Sequence, residues 1–435
     1  MKAENKSLSV FQWFIYLLAN SIAIPIVVGD IFQLSGAETS SLMQRVFFIV
    51  GLSSFIQAKF GHRYPIADGP AGSWVSIFVI YASVGIQQGK TITEILQILM
   101  AGLFISGVIL FILGITKWVR YVLFLFTPIV TGTFLLLLAI QLSGVFLKGM
   151  SSYNGGSQLD LLSFLLSLLV FALIVFLSTK GKGWVKSYAV LVGILFGWLL
   201  FAAVGKDGPS LSNTTDLVEL PKLFVWGLPE FNRSIMFTAL LFTLLLISNT
   251  IAAISSAEEA IPSQKISFQQ RLSSSTWAGG ISHLFATMFS TIGVVPLPAT
   301  AGFVKLTKQN RILPFLVACL ILIVISLFPS IVGFLASLPL PVASAALLAT
   351  LIEMYGIAFR SLTKRSLTTR NRTIIGISVL SGICTMILSD DFFSGFPSLL
   401  QNILSNGLLI ATFMAIFLEQ LLKNECRFEK NGNKL

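Results

Sequence analysis

The sequence predicts an all-α polytopic membrane protein: fourteen transmembrane segments in two inverted seven-segment repeats, with short strands in interrupted segments 3 and 10. Three observations predict it. Charged residues make up 11% of the 435-residue chain, against about 25% in an ordinary soluble domain, and mean hydropathy is +0.88. Apolar blocks of spanning length, roughly 20 residues, recur between short polar joints. Two of the blocks are broken by glycine and proline at matching places, Tyr64-Pro-Ile-Ala-Asp-Gly-Pro-Ala-Gly-Ser73 and Gly293-Val-Val-Pro-Leu-Pro-Ala-Thr-Ala-Gly302.

In chain order, the first seven blocks run over 11–29, 43–58, 64–84, 95–115, 118–147, 161–179 and 184–204. The second seven run over 234–255, 274–292, 293–308, 312–334, 340–358, 373–389 and 396–422. The tenth is too short and proline-rich for a full helix, so an extended stretch followed by a half-helix is expected there, and likewise in the third. This divides the chain into an N-terminus 1–10, a first repeat 11–204, a linker 205–233, a second repeat 234–422 and a tail 423–435. Seven is odd, so the second repeat is inverted relative to the first. The symmetry is one of hydropathy and interruptions, without convincing residue identity between halves.

Charge supports the count. With both termini cytoplasmic, the inside joints hold every basic residue except Arg45, Lys90, Lys148, Lys206, Lys222 and Arg233, out of 29. That is the positive-inside pattern, and it places the 205–233 joint outside. The same distribution removes nucleic acid as a partner: the net charge of +11 sits in joints and forms no continuous basic face. The first block is too long for a cleavable signal and lacks a small-residue cleavage site.

Proline lacks an N–H and glycine costs backbone entropy, so neither continues a helix cheaply. Irregular backbone at membrane depth is tolerated where it is buried in protein or lines a cavity. Paired interruptions in two halves point to the midplane binding site of a secondary transporter.

Few residues offer other chemistry. There is no Walker motif, no metal-ligand spacing among Cys319, Cys384 and Cys426, no acid–base pair, and hence no enzyme, metal or cofactor is expected. His62, beside Arg63 in a joint, is expected to be solvated. His283 lies mid-helix, where a packing role is favoured over a proton relay. Asp68 lies inside the first interruption, either capping the next half-helix or carrying a coupling proton. Glu353 is expected to form an interfacial ion pair with Arg360 or Lys364. Gly102, Gly107, Gly279 and Gly280 allow close helix approach, with generic packing the plainer reading.

Several stretches together resemble the nucleobase–ascorbate transporter family, the nucleobase:cation symporters of the second type. Phe11-Gln-Trp-Phe-Ile-Tyr-Leu-Leu-Ala-Asn-Ser-Ile-Ala-Ile-Pro25 is similar to the family's first helix, with Gln12-Trp13 where a Gln-His pair is usual. Pro65 and Gly69 match its Pro-x-x-x-Gly stretch. Ser248-Asn-Thr-Ile-Ala-Ala-Ile-Ser-Ser-Ala-Glu-Glu259 resembles the helix that normally carries a Glu-Thr pair. Ala299-Thr-Ala-Gly-Phe-Val-Lys-Leu-Thr-Lys308 overlays the signature Gln/Glu-Asn-x-Gly, four residues, Thr-Arg/Lys. Met354-Tyr-Gly356 and Pro397-Ser-Leu-Leu-Gln-Asn-Ile-Leu-Ser-Asn-Gly407 are also similar.

The resemblance implies core and gate domains, the gate formed by blocks five to seven and twelve to fourteen. It implies uptake across the plasma membrane of xanthine, uric acid, guanine, hypoxanthine or uracil, with the purine branch the nearer, usually driven by protons. It implies a site at Asn249, Ala253, Ala299, Thr300, Gly69, Ser73 and Gln12, framed by Pro65, Pro296, Pro298, Gly302, Thr307 and Lys308. The chain departs from the family there. Asn249 replaces the substrate glutamate, Ala253 an Asp or His, and Ala299-Thr300 the Gln/Glu-Asn pair. Asp68 is then the candidate coupling acid, for protons or another cation. Two other readings stay open: an anion or sulfate carrier of the same seven-plus-seven fold, and a transport-inactive receptor or scaffold. Which base is carried, the coupling ion, the direction of transport and a homodimer are left open by the sequence.

Overall fold

A computed structural model describes residues 6–151, 160–206, 217–261, 266–364, 366–388, 390–393 and 395–422. Residues 1–5, part of the expected linker (207–216) and the expected tail 423–435 with Cys426 lie outside the described residues. The first half contains α1 (Lys6–Ile31), α2 (Gly36–Lys59), strand β1 (Asp68–Pro70), α3 (Gly72–Gln87), α4 (Ile92–Ile115), the short α5 (Val119–Val122), α6 (Pro128–Met150), α7 (Leu161–Lys180), the short α8 (Trp184–Ser187) and α9 (Ala189–Ala203). The second contains α10 (Arg233–Ala260), α11 (Phe268–Met288), strand β2 (Val294–Pro296), α12 (Thr300–Thr307), α13 (Ile312–Ser326), α14 (Pro329–Ala336), α15 (Leu340–Leu362), α16 (Thr369–Ile387), α17 (Ser398–Leu404) and α18 (Gly407–Leu421).

Helix starts follow local chemistry. Ser35/Glu38, Thr91/Glu94 and Ser267/Gln270 form reciprocal capping boxes at α2, α4 and α11, satisfying N–H groups that a helix start leaves unpaired. Thr127 caps α6 with Pro128 in its first turn, where proline costs no hydrogen bond. Some expected blocks are broken. Block 312–334 is two helices bent by 92° at Leu327-Phe328, where Pro329 opens α14. Block 396–422 divides at Ser405-Asn406, the Asn406 side chain capping α18.

Among the described residues, seven helices are individually long and apolar enough to cross a membrane, or eight with the bent pair taken as one span. The apolar side chains they leave outside are consistent with lipid as solvent. In α7 the most apolar window is only 22% buried, and Leu165, Leu169 and Phe176 stand exposed on it.

Packing repeats itself between the halves. Helix α4 runs along α11, and α2 along α13; α1 packs on α13 as α4 packs on α10; α7 packs on α9 as α16 packs on α18. Two contacts map onto themselves, α6 with α15 and β1 with β2. These pairings in one half have counterparts in the other, although the sequences show no obvious identity. The symmetry is carried by which faces are apolar and where the chain breaks.

Candidate substrate site

The two interruptions meet. β1 pairs antiparallel with β2 in the register Asp68↔Pro296, Gly69↔Val295, Pro70↔Val294. The ladder is extended at its ends by Leu297 N–H to Ala67 O (2.9 Å) and Ala71 N–H to Gly293 O (2.8 Å). All six strand residues are buried, so the strands satisfy backbone that neither half could satisfy alone. Each strand feeds a helix, α3 or α12. The crossing is tight: a Cβ at Gly69 would lie 2.8 Å from Leu297 Cδ1.

Asp68 is 1% exposed and faces away from the ladder into a cluster of serines. Its N–H donates to Ser54 Oγ (2.9 Å). Its Oδ2 is hydrogen-bonded with Ser53 Oγ, which lies 2.6 Å from Ser282 Oγ on α11. Ser282 Oγ donates in turn to Ala278 O (3.0 Å). Asp68 Oδ1 has no hydrogen-bond partner among the described residues. No half-helix N–H takes this carboxyl as a cap, and α3 has no side-chain cap at Ala71.

Asn249 sits on α10 with its Nδ2 donating to Pro296 O (3.0 Å). That bond fixes which end of the amide faces the strand. Ala253, one turn on, is fully packed. Thr300 is buried and accepts from Tyr16 O–H of α1 (3.4 Å). Ser73 is buried in the first turn of α3. Gln12 lies apart from these groups, its Oε1 accepting from Gln309 Nε2 (3.0 Å). Thr307 and Lys308 end α12: Thr307 Oγ1 donates back to Phe303 O, and Lys308 takes a left-handed φ of 58°. Their role in the structure is to stop a half-helix.

Three cavities converge on the β2–α12 corner. One of about 210 Å³ is lined by Pro298, Gly302, Lys305, Glu353 and Arg360, among others. A second, of about 340 Å³, is lined by Tyr16, Asn20, Tyr188, Ala299, Phe303 and Glu353, among others. A third, of about 100 Å³, reaches Pro70, Gly72 and Leu297. Of the expected site residues, Ala299, Gly302 and Pro298 open into these spaces; Asn249, Ala253 and Thr300 stand behind them. Glu353 of α15 was expected to pair with Arg360 or Lys364. It forms no ion pair within 4 Å among the described residues, and lies instead against α12, its Oε1 2.5 Å from where a Cβ at Gly302 would be.

Two histidines are settled by geometry. His62 is not solvated: it is 0% exposed, its Nδ1 accepts from Tyr64 N–H (3.1 Å), and its carbonyl accepts from Arg271 Nη1 (2.6 Å). Arg271 covers the joint by stacking 4.0 Å over the Tyr64 ring, and this long-range lid is what a reading of the joint alone misses. His283 has both nitrogens engaged, Nε2 accepting from Trp74 Nε1–H (3.0 Å) and Nδ1 paired with Gly279 O (2.8 Å). It is a packed, satisfied side chain, as expected.

The sequence reading passed over Tyr16, Asn20, Phe303, Ser53 and Ser282. Tyr16 and Asn20 are four apart on one face of an apolar block, and a polar residue at such a position is a usable signal. Ser53 and Ser282 carry no local signal, since serine in a membrane helix most often bonds its own backbone.

The family model Xan_ur_permease, described as "Permease family", matches residues 5–390. The chain belongs to that family. Across 418 residues it is 33% identical to a Bacillus subtilis (strain 168) protein named "Putative purine permease YwdJ", covering 95% of each chain. It is 25% identical over 427 residues to the xanthine permease of the same organism, covering 95% and 93%. Among solved structures, the transmembrane domain of a cyanobacterium bicarbonate transporter BicA superposes with a TM-score of 0.62 at 13% identity, covering 96% and 98%. That likeness speaks to the fold. Family membership makes this permease a multi-pass membrane transport protein rather than an enzyme.

Proposed function

We propose that this permease carries a purine base, such as xanthine, uric acid, guanine or hypoxanthine, by alternating access across the plasma membrane, with both termini cytoplasmic. Fourteen segments in two inverted repeats would then move as a core, α1–α4 with α10–α14, against a gate, α6–α9 with α15–α18. The observation that carries the reading is the buried β1/β2 pair in a chain whose relatives over nearly full length are named as purine, xanthine and uric acid permeases. An anion carrier shares the fold but lacks that support, since the bicarbonate transporter matches at 13% identity.

Proton coupling is assigned to Asp68. With its carboxyl protonated, the chain Asp68, Ser53, Ser282, Ala278 O uses one hydrogen per hydroxyl, each group donating once to the next. With it ionised, Ser53 turns to donate to the carboxylate, and Ser282 must choose between Ser53 and Ala278. Gain or loss of a proton thus repacks contacts between α2, α11 and the strand beneath the cavities.

The test is uptake of labelled xanthine, guanine, hypoxanthine, uric acid and uracil into permease-deficient cells, with and without a protonophore. Uptake of a purine that collapses with the protonophore is the expected result. Purine uptake that survives the protonophore sinks the coupling alone. No uptake of any base by protein shown to be in the membrane sinks the reading.

A further inference from the structure

Asn249 of α10 donates to the strand carbonyl of Pro296, and neither Ala253, Ala299 nor Thr300 supplies an acid. A purine such as xanthine, uric acid or guanine presents N–H donors along the edge of a planar ring. Two parallel N–H groups are best received by a carboxylate, an acceptor with two oxygens. The 340 Å³ cavity has the other features of a base site. Its size falls within the range of small-molecule pockets, roughly 300–1,000 Å³. Tyr16 and Phe303 stand with ring centroids 4.3 Å apart, Tyr188 meets Phe303 at 6.1 Å, and Asn20 adds an amide. Among the described residues, Glu353 is the one carboxylate in this lining.

We propose that Glu353, on the gate helix α15, is the carboxylate that receives the N–H edge of a base bound in this cavity. The proposal rests on the nucleobase-permease reading and names the residue that reads the substrate. Both oxygens are uncommitted: no hydrogen bond or ion pair within 4 Å occupies Glu353 among the described residues. Lys186 of α8 lines the same cavity; Lys305 of α12 and Arg360 and Lys364 of the α15 end line the adjoining one, with Glu259 of α10. These cations line the cavities without pairing with Glu353. Gly302 supplies the room. Its missing side chain lets the carboxylate lie on the first turn of α12 between the two cavities, and a methyl group there would displace Oε1. A carboxylate fixed to the gate and a half-helix belonging to the core would then close on one base from two sides.

The experiment measures KM for the transported purine, and competition by mono-N-methylated xanthines, in wild type, Glu353→Gln, Glu353→Asp, Gly302→Ala and the Glu353→Gln/Gly302→Ala double variant. Losing a charge-assisted hydrogen bond corresponds to a rise in KM of about tenfold to a hundredfold in Glu353→Gln. Its penalty against the analogue methylated at the bound N–H should shrink towards unity. Glu353→Asp, with the carboxylate retracted by one methylene, should raise KM while keeping the wild-type ranking of analogues. Gly302→Ala should cost severalfold in wild type and nothing further in Glu353→Gln. Wild-type KM and ranking in Glu353→Gln overturn the proposal, as does wild-type KM in Glu353→Asp should the Gln variant fail to reach the membrane. Purine uptake by wild type with an unaffected Glu353→Gln leaves the permease reading standing and removes only this inference. No base uptake by wild type removes both.

Discussion

Asn249 ties α10 to the second strand by donating its side-chain amide to the carbonyl of Pro296 at 3.0 Å. A glutamate or aspartate at that position has no hydrogen to give when ionised, so the amide at 249 decides how the strand is held. Asn249→Asp sets a carboxylate against a carbonyl. We expect purine uptake to fall at least about tenfold, since a buried acceptor left without its donor costs roughly 1–3 kcal/mol. Asn249→Ala removes the bond without adding repulsion and should be the milder of the two. Equal uptake by wild type and Asn249→Asp at matched membrane abundance would show that the bond to Pro296 has no functional weight.

Asp68→Asn replaces the proposed proton carrier by a side chain of the same shape that can still hydrogen-bond with Ser53. The fold is therefore expected to persist, with a melting temperature close to wild type. Substrate should equilibrate across the membrane without being concentrated, and the protonophore should no longer reduce uptake. Concentrative, protonophore-sensitive uptake by Asp68→Asn would move coupling to another group.

The outline of this fold was legible because the bilayer leaves few options for backbone. Gly69-Pro70 and Pro296-Leu297-Pro298 cannot continue a helix, so an extended pair was the available solution at both places, and it is what forms. Boundaries were less legible where a block stayed apolar across a bend, as at Phe328-Pro329, because hydropathy does not register direction. The site was legible only in part. Ala299, Gly302 and Pro298 line the cavities, whereas Gln12 lies apart from them. Glu353 looked like an interfacial charge because its sequence neighbours Arg360 and Lys364 are basic. Its position against Gly302 arises from packing between α15 and α12, across more than 50 residues of chain, and nothing local encodes that.

His62 gives the protein an acid limit. Burial, with a smaller contribution from the Arg271 charge, pushes its pKa down from 6.5 to about 3. The unfolded chain therefore takes up this proton first as pH falls. The stability His62 contributes is complete above pH 6.5, falls through the window from 6.5 to about 3, and changes no further below it. One unit below the ordinary value, near pH 5.5, the loss is about 1.4 kcal/mol. In thermal melts of purified protein, His62→Asn should keep an acceptor for Tyr64 N–H and lose less stability than wild type between pH 7.5 and about 5.5. Parallel acid losses in the two proteins would mean that His62 stays uncharged on unfolding or is solvated after all.

Two adjacent glycines on α11 separate close packing from open space. The three atoms nearest to a Cβ at Gly280 are all backbone, Phe111 N at 2.5 Å, Gly107 O at 2.7 Å and Phe111 Cα at 2.8 Å. Backbone cannot rotate aside, so Gly280→Ala must push α4 and α11 apart along their whole contact. Overpacking of this kind costs about 1–3 kcal/mol. At Gly279 the nearest atom to an added Cβ is Gln57 Nε2 at 3.5 Å, an ordinary contact, and alanine gains up to about 1 kcal/mol of helix propensity. The expected order of melting temperatures is therefore Gly279→Ala at or above wild type and Gly280→Ala well below it. Because α11 also carries Ser282, whose hydroxyl lies in the Asp68 chain, Gly280→Ala should weaken protonophore-sensitive accumulation more than total uptake. Equal melting of the two variants would refute the close crossing of α4 and α11.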